Sequence, residues 1–128
     1  MQQGSPVRVE VLQHPRLQRS ALHLAANYRL VRRRAAGQPG HLPTEEDWPP
    51  VPTPATAQRW NETIEELRTL NQDLRRAILP FAENRLDQDI APGHSDAYAH
   101  FAGMSQYDAY HAGQIALLRR ALAASSRT

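Results

Sequence analysis

The sequence predicts an all-α domain of three long helices. Three runs of apolar residues recur at spacings of three and four, the mark of helices that bury one face. The two segments between those runs are rich in proline and glycine, which end a helix rather than extend it. With 128 residues the chain has the length of one domain, 1–128, and a domain of that size removes roughly two thirds of its unfolded surface from water.

Residues 1–14 read as irregular or as a short strand, because VRVEV, Val7 to Val11, alternates apolar and charged positions at period two. His14-Pro15 breaks the chain, and proline is tolerated in a helix's first turn, where its missing N–H has no intrahelical partner to lose. A first helix is expected from about Pro15 to Ala36, with Leu17, Ala21, Leu24, Tyr28 and Val31 on its buried face. Arg32, Arg33 and Arg34 fall in its last turns, where positive charge complements the helix dipole, and Gly37 is its stop. Residues 37–53 carry five prolines and two glycines and are expected to form an irregular crossover, pinned to the body by Trp48.

A second helix reads from about Pro54 to Ile78, capped by Thr53, with the stripe Ala57, Trp60, Ile64, Leu67, Leu70, Leu74 and Ile78. Residues 79–94 form another irregular connection, with one helical turn near Glu83–Leu86. The last helix is expected from about Ser95, its cap, to Ala124. Its stripe runs Ala97, Phe101, Met104, Tyr107 or Asp108, His111, Ile115, Leu118 and Leu122. Three helices joined by crossovers describe a bundle, and no internal repeat is visible.

Composition narrows the function. All 15 basic residues are arginine, and the net charge is only +2, too small for a nucleic-acid footprint unless the arginines converge on one face. The run Arg32–Arg34 is followed by Glu45, Glu46 and Asp47, which reads as a solvated or ion-paired patch, so nucleic acid is not an expected partner. The absence of cysteine excludes a disulfide framework, a thiolate nucleophile and a cysteine zinc site, leaving His, Asp, Glu or Tyr to hold any metal. Neither a leader-like N-terminus nor a run of about 18 apolar residues is present, so no membrane association is expected and the default location is cytoplasmic.

The stretch YDAYHAGQI, Tyr107 to Ile115, places His111 on the buried face of the last helix with Tyr107 one turn earlier. His23 lies midway along the first helix, beside its apolar face. A lone inward histidine is usually a satisfied core residue, needing only one donor and one acceptor. Two from facing helices can start a metal site, yet a catalytic zinc has three protein ligands. Gly113 costs about 1 kcal/mol against alanine within a helix and is expected to admit close approach by a neighbouring helix or a ligand.

The run DAYHAGQIALLRR, Asp108 to Arg120, closely resembles the last-helix signature of the DinB/YfiT-like family of helical-bundle proteins, described as metal-dependent hydrolases and thiol-dependent transferases. LHLAANYRLVRRRAAG (Leu22 to Gly37) is similar to that family's second helix, LPTEEDWPPVP (Leu42 to Pro52) to its next loop, and WNETIEELRTLNQDLRRAI (Trp60 to Ile78) to its third helix. The resemblance covers about Leu17 to Leu122, with the last-helix motif as its specific part. It implies an up-down-down-up bundle in which one histidine of the second helix and two of the last, at i and i+4, hold a divalent metal such as Zn, Ni or Mn. Carried over, the ligands are His23 and His111, while the remaining histidine position is occupied by Tyr107. Asp108 and Gln114 are expected around them, Asp108 accepting from an imidazole or pairing with an arginine, Gln114 bonding a loop carbonyl.

Two departures shape the expectation. A phenol, with a reference pKa of about 10, is a poor ligand at neutral pH, so the site either binds metal weakly or has lost it and kept Tyr107 hydrogen-bonded to a histidine. The family's first helix has no counterpart before Pro15, which would leave an apolar face, and a homodimer is expected to cover it. The activity implied is metal-dependent hydrolysis or thiol transfer. The alternative is a non-catalytic helical dimer that binds a small molecule or a protein partner, and the substrate is not specified.

Overall fold

The computed structural model describes residues 14–125, so the Val7–Val11 strand expected from the sequence lies outside the described residues. The elements are α1 (Pro15–Ala35), α2 (Thr44–Asp47), α3 (Ala57–Ile78) and α4 (Ala97–Ser125), with one 3-10 turn at Glu83–Arg85. The described residues are all-α, without a strand; an isolated antiparallel bridge joins Asp89 to Asp96. Among them no helix is long and apolar enough to cross a membrane.

Local chemistry sets the helix ends. His14 Nδ1 accepts the Arg16 N–H at 3.2 Å, with Pro15 in the first turn, and Gly37 stops α1 with φ +81°, a conformation that a Cβ penalises. α3 starts at Ala57 instead of Pro54, because Thr56, not Thr53, supplies the cap: its Oγ1 accepts the Arg59 N–H at 3.2 Å. The cap of α4 is likewise one residue later than expected, since the Asp96 carboxylate accepts the Ala99 N–H at 2.6 Å. Ser95 is committed elsewhere, its carbonyl taking the Ile90 N–H at 3.0 Å.

α1 packs against both α3 and α4 and also against α2, while α3 and α4 scarcely meet. Tyr28, Val31, Leu74 and Met104 form the shared core, flanked by Leu24, Leu67, Phe101 and Tyr107. A second cluster of Ile90, Ala91 and Ala97 with Phe81 and Leu86 folds the connection between α3 and α4 onto the bundle. Because α1 has neighbours on several sides, it buries Gln18, Ala25, Ala26 and Leu30 as well as Leu17, Ala21, Tyr28 and Val31 of its expected stripe, while Leu24 is only half-buried. By contrast, no described residue of α4 beyond His111 is buried, and Tyr110 and Leu117 are 63% and 70% exposed. Gly113 lies on that open side with nothing among the described residues within 4 Å of where a Cβ would stand, so the close helix approach expected from the sequence is not found there.

Leu74 is the α3 residue most completely enclosed where the three long helices share side chains. Leu74→Ala is expected to lower the stability by about 2–5 kcal/mol, the usual range for a leucine cavity, read from the urea midpoint. A loss below about 1 kcal/mol would show that this junction does not carry the fold.

Candidate functional site

α1 and α4 bring His23, Tyr107 and His111 together. The two imidazole centroids are 5.2 Å apart, and the Tyr107 ring lies 4.2 Å from that of His111 and 5.8 Å from that of His23. Both histidines are buried, at 5% and 4% exposure, which makes the fate of each ring nitrogen decisive.

His23 satisfies both of its nitrogens. Nδ1 lies 2.6 Å from the backbone carbonyl of Asp47 and 3.1 Å from the same residue's Oδ1. A carbonyl only accepts, so Nδ1 carries a proton, and in the neutral imidazole Nε2 is then the lone pair. The Tyr107 hydroxyl donates to that Nε2 in a short contact. Trp48 stacks on the ring with centroids 3.6 Å apart and planes 4° from parallel, and the Arg19 guanidinium stands 5.1 Å from the Trp48 centroid. Asn27, one turn after His23, donates from Nδ2 to Asp47 Oδ1 at 3.0 Å and so fixes the strap that carries Asp47 and Trp48. Trp48 therefore does pin the crossover, and it does so on the candidate site itself.

Around His111 the pattern reverses. Among the described residues neither ring nitrogen has a hydrogen-bond partner, and Oδ1 of Asp108 has none either. Burial, and then the nearby His23, hold the His111 imidazole below its ordinary range, which keeps it neutral. Gln114 lies beside His111 and works against that lowering; its Nε2 donates to Tyr110 Oη at 3.0 Å on the same helix, not to a loop carbonyl. The other Asp108 oxygen, Oδ2, accepts the Tyr28 hydroxyl at 2.8 Å, and Asn71 of α3 donates to Tyr28 Oη at 3.3 Å. Burial raises the Asp108 carboxyl above its usual value, with the Tyr28 bond and His111 working the other way. Burial also pushes Tyr107 up to about 12, with the Asp47 charge adding to it, so the phenol keeps its proton at neutral pH.

Tyr28, Asn27 and Asp47 are the participants that the sequence reading did not single out for a site. Asn27 had a visible signal, standing one helical turn from His23; the Asp47 carbonyl, a backbone group on a loop, had none. The other loop histidines do not join the cluster. His41 and His94 meet His100 near Arg34 instead. Among the described residues, no group of three or more His, Cys, Asp or Glu is disposed to hold a metal ion. Compared with known proteins, the chain finds no matching family model, curated protein or solved structure.

Tyr28→Phe removes the hydrogen bond that Asp108 Oδ2 accepts. A hydrogen bond to a charged group contributes about 1.5–3 kcal/mol, and a loss toward the lower end is expected at pH 7 because the site is only half-buried. The folded Asp108 carboxyl is raised, so its charge destabilises the fold above the unfolded value and that penalty is relieved as pH falls through the folded value. The variant's deficit should therefore shrink in urea titrations near pH 4; an equal deficit at both pH values would show that the Asp108 charge plays no part.

Proposed function

We propose that this chain is a DinB-like, up-down-down-up bundle whose metal centre has degenerated: a protein that binds a small polar molecule rather than a hydrolase or thiol transferase. The Tyr107 hydroxyl donated to His23 Nε2 carries this reading. That nitrogen is the one a metal would take, because a metal-bound histidine characteristically donates its other N–H to a carbonyl or carboxylate, as His23 does to Asp47.

The divalent ion implied by the resemblance fits the donors only in part. Two imidazoles on one tetrahedral ion, with bonds of about 2.0–2.1 Å, would have ring centroids about 5 Å apart, which the pair matches. The third donor does not fit. Ionising even an ordinary phenol at pH 7 costs about 4 kcal/mol, burial makes Tyr107 harder still to ionise, and no third His, Cys, Asp or Glu completes a set among the described residues. No catalytic step is therefore derived through a metal. What the cluster offers instead is hydrogen bonding: His111 with two free nitrogens and Asp108 with one free oxygen. Beside Tyr107 an open cleft of about 280 Å³ lies between α1 and α4, bordered by Asn27, Val31, His100 and Met104; it reaches Tyr107 but is not lined by His111 or Asp108.

A second reading keeps the metal-dependent enzyme, favoured by the unpartnered nitrogens of His111 and the ring spacing. Metal analysis separates the two. Protein purified without an affinity tag is expected to hold no stoichiometric zinc, nickel or manganese after dialysis, whereas Tyr107→His is expected to bind zinc and to lose it again when His111→Ala is added. Stoichiometric metal in the unsubstituted chain, abolished by His111→Ala, would restore the enzyme reading.

The apolar, largely exposed outer part of α4, including Ile115, Leu117, Leu118 and Leu122, supports a homodimer in which a second copy covers this face. Sedimentation at micromolar concentration is expected to give a dimer that Leu117→Arg dissociates. A folded monomer before substitution would reject the dimer.

A further inference from the structure

A second histidine cluster lies at the end of α1, eleven residues and about 16 Å along the helix from His23. We infer that His41, His94 and His100 form, with Arg34 and Gly40, a pH-sensitive clasp that holds the start of the 37–53 crossover closed while the three imidazoles are neutral and releases it when they take up protons. This inference stands independently of what the His23 site binds.

Hydrogen-bond directions establish the protonation states. A guanidinium and a backbone N–H can only donate. Arg34 Nη1 lies 3.3 Å from His100 Nε2, Arg34 Nη2 lies 3.4 Å from His41 Nδ1, and the Gly40 N–H donates to His94 Nε2 at 3.1 Å. Each imidazole thus accepts, which an imidazolium cannot do. His100 is consistent at its other nitrogen, since Nδ1 faces the Asp96 carbonyl at 3.2 Å and the Ser95 hydroxyl at 3.1 Å, both able to accept its proton. The Gly40 peptide is gripped from both sides, its carbonyl accepting from Arg34 Nε at 3.1 Å and Nη2 at 2.6 Å. Its φ of +150° suits glycine alone, so the grip holds a loop conformation specific to that residue.

Protonation would turn three acceptors into donors aimed at other donors, and would place up to three positive charges around a guanidinium. The charges facing His94 are Arg34, His41 and His100, opposed by Asp89; Arg33 adds to the positive side at Arg34, and the Asp96 carboxylate is committed to the Ala99 N–H. Burial first, and then those cations, hold the His94 imidazole below its ordinary range, the direction that a neutral-state clasp requires.

The clasp and the candidate site sit on one strap. From Gly40 and His41 the chain runs through Leu42 and Pro43 into α2, which ends in Asp47 and is followed by Trp48, the two residues that hold His23. Opening the clasp frees the upstream end of the strap over His23. His94 is held below its ordinary range in the closed loop, so as pH falls through the ordinary imidazole range the open form takes up a proton at His94 that the closed form cannot hold. Each proton so linked raises the opening equilibrium up to about tenfold per pH unit.

Amide hydrogen exchange of Gly40 by NMR, on the full chain and corrected for the intrinsic pH dependence of exchange, tests this. Protection at Gly40 is expected to fall by at least about tenfold between pH 7 and pH 5.5, with α3 amides such as Leu70 unchanged, and the triple variant His41→Gln/His94→Gln/His100→Gln, which keeps acceptors that do not titrate, is expected to show no such fall. Protection independent of pH in the unsubstituted chain, or the same fall in the triple variant, would overturn the clasp. Ring-nitrogen titration of His94 in the unsubstituted chain decides the matter without any variant: loss of Gly40 protection must track protonation of His94 Nε2, and loss at a different pH overturns it.

Discussion

A buried imidazole needs one acceptor for its N–H and one donor for its lone pair, and His23 draws them from two separate segments. The Asp47 carbonyl comes from the crossover and the Tyr107 hydroxyl from α4. This one ring therefore ties the strap and the last helix to the middle of α1, and Trp48 closes over its face. Were either partner removed, a polar nitrogen would be left without a bond at 5% exposure, at a cost of about 1–3 kcal/mol. The site and the scaffold are consequently the same set of contacts.

His111 shows what happens where that requirement is not met by protein groups. It is as deeply enclosed as His23, among the rings of Tyr107, Tyr110 and His23, and neither of its nitrogens has a hydrogen-bond partner among the described residues. Native interiors rarely leave both nitrogens of a histidine unbonded, and such groups commonly face a ligand or an ordered water. The asymmetry between the two histidines, one fully engaged and one with both nitrogens available, is the strongest chemical pointer in the molecule.

Periodicity made the helices legible in the sequence, because a stripe at spacings of three and four has few other solutions: Leu17, Ala21, Tyr28 and Val31 on α1, and Ala97, Met104 and His111 on α4, are buried as the pattern requires. Gln18, Ala25, Ala26 and Leu30 escaped the same reasoning since a stripe assumes a single partner, whereas α1 has partners on several sides. The cap at Thr56 was misassigned to Thr53 because both threonines stand near a plausible helix start, and only backbone geometry selects between them. The convergence of His23, Tyr107 and His111 was legible through the resemblance and the inward spacing of His111. The clasp at Arg34 was not: His41 and His94 sit on connections without a period, and nothing local in the sequence states which loop meets which helix end.

Substituting a tyrosine into a histidine position within the proposed reading changes more than the ligand count. A phenol reaches farther than an imidazole and ends in a donor, so Tyr107 can bridge α4 to His23 directly, the mechanical task that a shared ion would otherwise perform between the two helices. An ion would engage His111 as well, whereas the direct bridge bypasses it, which accounts for His23 being satisfied while His111 is not. Keeping a histidine at 111 in a buried position then adds a desolvation cost without a structural return within the chain. In the proposed reading that cost is offset by the bound molecule, for which the unpartnered oxygen of Asp108 is an acceptor and His111 supplies both an acceptor and a donor.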